Sequence, residues 1–274
     1  CKILMPALLV LLLVLIVRSV TLPGSGAGLE FYLKPDLSKI TNQAILAAVG
    51  QGFFSLSLGM GCMITYGSYL SKKEYMPSIA RTVVLLDTSV AILAGFVIFP
   101  AVFAFGIEPG AGPGLTFVTL PAVFAKMPMG AIFSFAFFLL LFIAALTSAI
   151  SLLEVVVTYC IDQLRWNRAK AAIIMGTAIA LLGIPSALSV GGHIPQVAGK
   201  DFLDAADFIT NNVIMPLGGI FISVFVGWIW ADGAKAEITD NGKLAFPFYT
   251  VWLWICRVVA PVSIAWIFIT GLKW

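Results

Sequence analysis

The stretch FFSLSLGMG, Phe53–Gly61, sits in the middle of an apolar run from Ala44 to Leu70. Ser55 and Ser57 add nothing to the hydropathy of such a segment. Gly59 and Gly61 weaken a helix at a depth where lipid offers the backbone no other partner. A plain small-residue contact would let a neighbouring helix approach. Here the serines and glycines cluster within two turns and follow Gly50, Gln51 and Gly52, which predicts a helix broken at mid-membrane. Unwinding frees backbone carbonyls to coordinate a cation and leaves a half-helix N-terminus aimed at an anionic group.

The remainder of the chain has the composition such a segment needs. It is 61% apolar and only 11% charged, with a mean hydropathy of +1.05. These values exclude a soluble domain and point to an all-α integral membrane protein. Seven apolar segments stand out: Ile3 to Val20, Ala44 to Leu70, Ile79 to Phe105, Gly130 to Ile161, Ala169 to Val190, Phe208 to Ala231, and Phe248 to Thr270. Most hold the roughly 20 residues that one bilayer crossing requires. The second and fourth are longer, as expected of a tilted or broken span. The chain opens on Cys1 and enters an apolar run at once, which reads as the interior and C-terminal part of a longer protein.

The connections sort by charge. SYLSKKEYMPS, DQLRWNRAK and ADGAKAEITDNGK are short and comparatively rich in Lys and Arg, which assigns them to the cytoplasm. The opposite connections are longer and rich in Gly and Pro, and within one of them LTFVTLPAVFAK is amphipathic enough for a short helix on the membrane face. The net charge of +3 is spread over loops, so no nucleic-acid surface is expected. Cys1, Cys62, Cys160 and Cys256 have no metal-ligand spacing and read as isolated thiols. His193 reads as an ordinary loop residue. Ser57 in SLSLG misses the G-x-S-x-G elbow because Ser55 takes the first Gly position, and no intramembrane His offers a base, so no enzyme activity is expected.

Two further polar clusters lie within apolar spans. Asp87, in VVLLDTSVAILAG, is a carboxylate about one-third into its segment, where an unpaired charge is expensive; a site facing the bundle interior is expected, with Thr88 and Ser89 beside it. In FIAALTSAISLLE, Thr147 and Ser148 supply hydroxyls, and the Ala144 carbonyl shares their helical face. Neutral oxygens of this kind suit a weakly held monovalent cation. The competing reading is a hydroxyl bonded back to its own helix. Three clusters on three helices favour an ion-and-solute site.

In this order, the clusters resemble the neurotransmitter:sodium symporter family, specifically its bacterial amino-acid transporters. AAVGQGFFSLSLGMGCMITYGSYL resembles the family's sixth helix, DTSVAILAGFVIFP its seventh, LTSAISLLEVVVTYCIDQL its eighth, and FVTLPAVFAKMP its fourth extracellular loop helix. The resemblance implies an inverted-repeat transporter core with discontinuous helices, about seven of them, running from the fifth helix to the eleventh. Residues 1–22 would be the last helix of the first repeat and 23–43 an extracellular connection. Residues 44–231 would form the second repeat, five helices with the loop helix, and 232–274 a cytoplasmic loop and an additional C-terminal helix.

The implied function is sodium-coupled symport of neutral hydrophobic L-amino acids across the plasma membrane by alternating access. An ion channel, or another sodium- or proton-coupled transporter of the same fold, is the alternative. By resemblance, sodium would bind at two sites, one using Ser55 and Asp87, the other Ala144, Thr147 and Ser148. Each site would be completed by missing N-terminal helices of the same protein. Phe54, Ser55, Ser57, Met60, Ser148 and Leu152 would meet the substrate. Tyr69 and Asp162 match the cytoplasmic gate, and Asp207 the acidic half of the outer gate. Asp87 stands where many members carry Asn, and Ala91 where chloride-dependent members carry Ser, so no chloride requirement is implied.

Overall fold

The computed structural model describes residues 3–34, 36, 38, 40–71, 74–107, 115–190, 192 and 201–271; His193 and Cys1 lie outside them. All regular structure among the described residues is helical. The helices are α1 (Leu4–Val20), α2 (Ser25–Leu33), α3 (Asn42–Ser55), α4 (Cys62–Ser68), α5 (Met76–Ala104), α6 (Leu115–Lys126), α7 (Gly130–Leu164), α8 (Arg168–Val190), α9 (Phe202–Ile229), α10 (Ala231–Ile238) and α11 (Tyr249–Gly271). Five of them, α5, α7, α8, α9 and α11, are long and apolar enough to cross a membrane; α1 and α2 meet the same requirement only as a pair, bent by 115° at the break between them. Large apolar side chains such as Leu182 and Ile229 cover their outsides, an arrangement suited to lipid rather than water.

The chain forms two compact units, residues 1–40 with 83–150, and 41–82 with 151–274. In the first, Leu12, Leu15, Val97, Val102, Leu120 and Val123 make a core joining α1, α5 and α6. Within it the buried Ser19 hydroxyl donates to the Val97 carbonyl at 2.7 Å. The connection expected at 23–43 contains α2, which Gly24 opens with a φ of 89°. The side of Gly28 lies flush on Phe99 and Pro100, so a Cβ there would collide with backbone. Pro100 interrupts the hydrogen-bond ladder of α5 at that contact, because it has no N–H to give.

In the second unit the run from Ala44 to Leu70 is not one helix. Thr41 caps α3 by accepting from the Ala44 N–H at 3.1 Å. Thirteen residues on, the helix ends in a Schellman motif: Leu58 N–H donates to the Phe53 carbonyl at 2.9 Å and Ser57 N–H to the Phe54 carbonyl at 3.0 Å. Ser57 holds the left-handed position with a φ of 52°, where glycine is the usual occupant. Gly59 (φ 79°) and Gly61 (φ 82°) complete the break, and α4 starts at Cys62. The break is held by α9. A Cβ on Gly59 would strike the Met215 carbonyl oxygen, and a Cβ on Gly218 would strike the Gly59 carbonyl oxygen.

The other long helices begin as local chemistry dictates. Asn167 caps α8 by accepting from Lys170 N–H at 2.7 Å, after Arg165 turns the chain with a φ of 56°. Asp201 caps α9 by accepting from Asp204 N–H at 2.8 Å. Val157, Cys160 and Ala171 pack the end of α7 on α8. Cys62, Cys160 and Cys256 are free thiols.

Glycine substitutions test whether the break is built into the packing. Gly59→Ala should lower stability by about 1–3 kcal/mol, from the left-handed backbone and the collision with α9. Gly52→Ala, where nothing lies within 4 Å, should be neutral or stabilise by about 0.5–1 kcal/mol. Thermal melting of the two purified variants in detergent reads the difference.

Candidate functional site

The broken helix positions the polar residues of the second unit. Phe54 ends α3 beside a cavity of about 560 Å³ whose wall also includes Gln51, Asp207, Asn211 and Thr270. Asp207 lies in the first turns of α9, and its carboxylate accepts from Asn211 Nδ2 at 2.8 Å across one helical turn. The π-helical turn Thr210–Ile214 carries Asn211 and Asn212 toward the same cavity. Phe54 and Asp207, expected as a substrate contact and the outer gate, thus line one cavity.

Ser57 does not share that space. It lines a separate, almost wholly apolar cavity of about 440 Å³ with Phe53, Leu58, Met63, Trp252 and Cys256. Ser55 closes the last turn of α3, and Met60 lies half-buried in the break. The broken helix therefore presents its substrate candidates to more than one environment.

Tyr69 caps the end of α4, and its hydroxyl donates to Glu154 Oε1 at 2.7 Å and pairs with Thr158 Oγ1 at 2.6 Å. The other oxygen of Glu154 takes a 2.6 Å ion pair from Arg168 at the start of α8. Asp162, expected beside Tyr69, lies four residues beyond Thr158 on α7 and is exposed. Glu154 was visible in the sequence as a charge four residues ahead of Thr158 in an apolar span, but its partnership needed the fold. Its carboxylate makes charge-assisted bonds with Tyr69 at the end of α4 and Arg168 at the start of α8, tying both to α7.

In the first unit Thr147 is 6% exposed and its hydroxyl donates to the Ala144 carbonyl at 2.9 Å. The two oxygens that the sequence placed on one face do meet, and they meet through the intrahelical bond that was the competing reading. A donating hydroxyl retains its lone pairs as acceptors, so the pair is still able to face a cation. Ser148 follows on an exposed flank of α7, and Leu152 stands one turn beyond. Asp87 is half-buried on α5, and Ser89 donates back to the Leu85 carbonyl at 2.6 Å. Ser55 belongs to the second unit and Asp87 to the first.

With this geometry in place, relatives give the chain a family. A profile of the Sodium:neurotransmitter symporter family matches residues 1–273. The chain belongs to that family. It is 42% identical over 275 residues to a sodium-dependent transporter of Haemophilus influenzae, covering 99% of the chain and 59% of the relative. It is 39% identical to YhdH, a sodium-dependent transporter of Bacillus subtilis, over 97% of the chain and 60% of the relative. The crystal structure of MhsT in complex with L-phenylalanine superposes with a TM-score of 0.85 at 46% identity, covering 99% of this chain and 62% of that one. The chain thus spans about 60% of the length of the relatives it matches. The family is one of membrane transporters and not of enzymes. The fold is the all-α inverted-repeat transporter fold, and the protein is a multi-pass membrane protein.

Tyr69→Phe removes both bonds of the hydroxyl while leaving the Glu154–Arg168 pair. With its end released, α4 should exchange its amide hydrogens about tenfold faster, the change expected for ~1.4 kcal/mol of lost local stability. Hydrogen exchange across Cys62–Ser68 provides the measurement, with α8 as the unchanged reference.

Proposed function

We propose that the protein carries neutral hydrophobic L-amino acids across the plasma membrane, coupled to sodium, by alternating access. The observation that carries this reading is the 46% identity and close superposition with MhsT, whose crystal structure holds L-phenylalanine. The break at Leu56–Gly61 supports it, because a discontinuous helix offers backbone groups to ion and solute at the bilayer centre.

In this reading Phe54, Ser55, Ser57, Met60, Ser148 and Leu152 contact the amino acid. Its side chain meets Phe54, Met60 and Leu152, and the thioether adapts to several shapes. Sodium is held at two sites, with Ser55 and Asp87 in the first and the Ala144 carbonyl, Thr147 and Ser148 in the second. Other residues of the whole transporter complete both. Tyr69 and Asp162 serve the cytoplasmic gate, Asp207 serves the outer gate, and the basic connections face the cytoplasm. Residues 1–22 close the first repeat, 44–231 form the second, and 232–274 append a loop and a helix.

Chloride is not required. Sodium and a zwitterion bring net positive charge into a poorly solvated site, where a fixed carboxylate compensates as a bound anion would. Asp87 supplies that carboxylate, and Ala91 offers no hydroxyl for an anion.

Uptake into proteoliposomes containing the whole transporter tests the reading. A sodium gradient should drive accumulation of leucine or phenylalanine, equally well in gluconate and in chloride. Excess phenylalanine, leucine or isoleucine should compete, and glutamate or lysine should not; stronger competition by the charged amino acids would refute the assignment. The second sodium site has its own test. Thr147→Val and Ser148→Ala should each raise the sodium concentration for half-maximal uptake by about tenfold, as for loss of one ion-directed oxygen worth ~1.4 kcal/mol. Unchanged sodium dependence in both variants would remove these residues from the site.

A further inference from the structure

The C-terminal helices carry a cation that the transport reading does not use. Arg257 lies in α11, eight residues after Tyr249, or about 12 Å along the helix axis. A charge within a membrane span is costly and needs partners. Here the partners come from two π-helical turns, Phe225–Ile229 in α9 and Ile255–Val259 in α11. Arg257 Nε donates to the Gly227 carbonyl at 2.6 Å, and Trp228 Nε1 donates to the Arg257 carbonyl at 3.2 Å. The guanidinium lies 5.3 Å from the Trp228 ring centroid. Gly227 is required by this contact, since a Cβ there would sit 3.1 Å from Arg257 Cγ and 3.2 Å from its backbone.

This clamp uses one donor of the guanidinium, Nε, and leaves the Nη groups to other partners. Among the described residues no carboxylate lies within ion-pair distance of Arg257. Side chains on a helix lean toward its N-terminus, so Arg257 reaches back toward Tyr249 and the membrane edge. Tyr249 is held there by donating to the Ala231 carbonyl at 2.7 Å, and Lys235 Nζ lies 5.6 Å from its ring centroid. Asp232 is the acid within electrostatic reach of Tyr249, against the two cations Arg257 and Lys235. Trp228 is 61% exposed, and Trp230, Phe248 and Trp254 are exposed beside it, as in an aromatic belt at a membrane interface.

We propose that Arg257 and Lys235, framed by Trp228 and Tyr249, bind the phosphate of an anionic membrane lipid at this end of α9 and α11. The Nη groups of Arg257 supply a planar pair of donors suited to two phosphate oxygens, and Lys235 adds a point charge. Basic pockets between membrane helices recognise acidic headgroups in this way. The bound lipid would join α9 to α11 from outside.

Native mass spectrometry of the whole transporter, released from nanodiscs of phosphatidylcholine with phosphatidylglycerol as the minor component, tests the site. The wild type should retain phosphatidylglycerol in preference to phosphatidylcholine. Arg257→Gln should weaken that retention about fivefold, the ~1 kcal/mol that one basic side chain contributes near an anionic lipid. Arg257→Lys should retain more than Arg257→Gln. Lys235→Gln, which leaves the helix clamp intact, should weaken retention too and reads the lipid site independently of folding. Inorganic phosphate added to the nanodiscs should not displace the lipid. Wild-type retention in both Gln variants, or displacement by inorganic phosphate, would overturn the proposal.

Discussion

The second unit is organised by one contact, the meeting of the Gly59 and Gly218 backbones. In lipid every peptide group needs a protein partner, so a membrane helix is broken only where another element takes over what the helix would have supplied. Gly59 and Gly218 have no side chains, and that alone lets α9 approach the break closely enough to hold it. Gly219, next along α9, accepts the Phe53 ring at the last turn of α3. The Schellman motif at Phe53–Leu58 closes α3 on its own terms, and α9 keeps the following residues from rewinding. Removing the approach would join α3 and α4 into one ordinary span and erase the polar surface at its centre.

From that constraint the chemistry of the region follows. A continuous helix would have spent the backbone groups of Leu56–Gly61 on itself. Broken, the chain turns Phe54 toward the polar cavity with Asp207 and Asn211, and Ser57 toward the apolar one with Trp252 and Cys256. Farther along, the short α4 is too small to be stable alone. Its end is pinned by Tyr69 to Glu154 and Thr158, with Arg168 holding Glu154 from the opposite side. Elements held by few polar bonds rather than a broad apolar core are the ones that open at low cost.

Polar groups within the long helices are handled by two different devices. Thr147 and Ser89 bond back to carbonyls of their own helices, which helps a hydroxyl enter an apolar span. Arg257, Trp228 and Ser223 instead bond across from one helix to the other, onto carbonyls of Gly227, Arg257 and Cys256. The π-helical turns on both helices mark where that exchange occurs. The first device is made within one helix; the second ties two helices together.

Much of this was legible in the residues. Hydropathy located the five long spans, four of them to within about three residues and α9 with its start six residues late, because a crossing needs a fixed length of apolar chain whatever its neighbours. Ser57, Gly59 and Gly61 announced the break, since glycine and serine at mid-membrane have no reason to be there in an intact helix. Thr41, Asn167 and Asp201 are caps that act within their own first turn. The bend after Val20 and the partner of Tyr69 were not legible, and neither was the division of Phe54 and Ser57 between two cavities. The clamp around Arg257 was equally hidden. Each depends on which surfaces two distant segments bring together, and local periodicity carries no record of that. The sequence by itself determined where the chain must enter lipid and where its helix must fail; the tertiary structure alone decided what occupies the failure, because a broken backbone takes whichever partner packing places beside it.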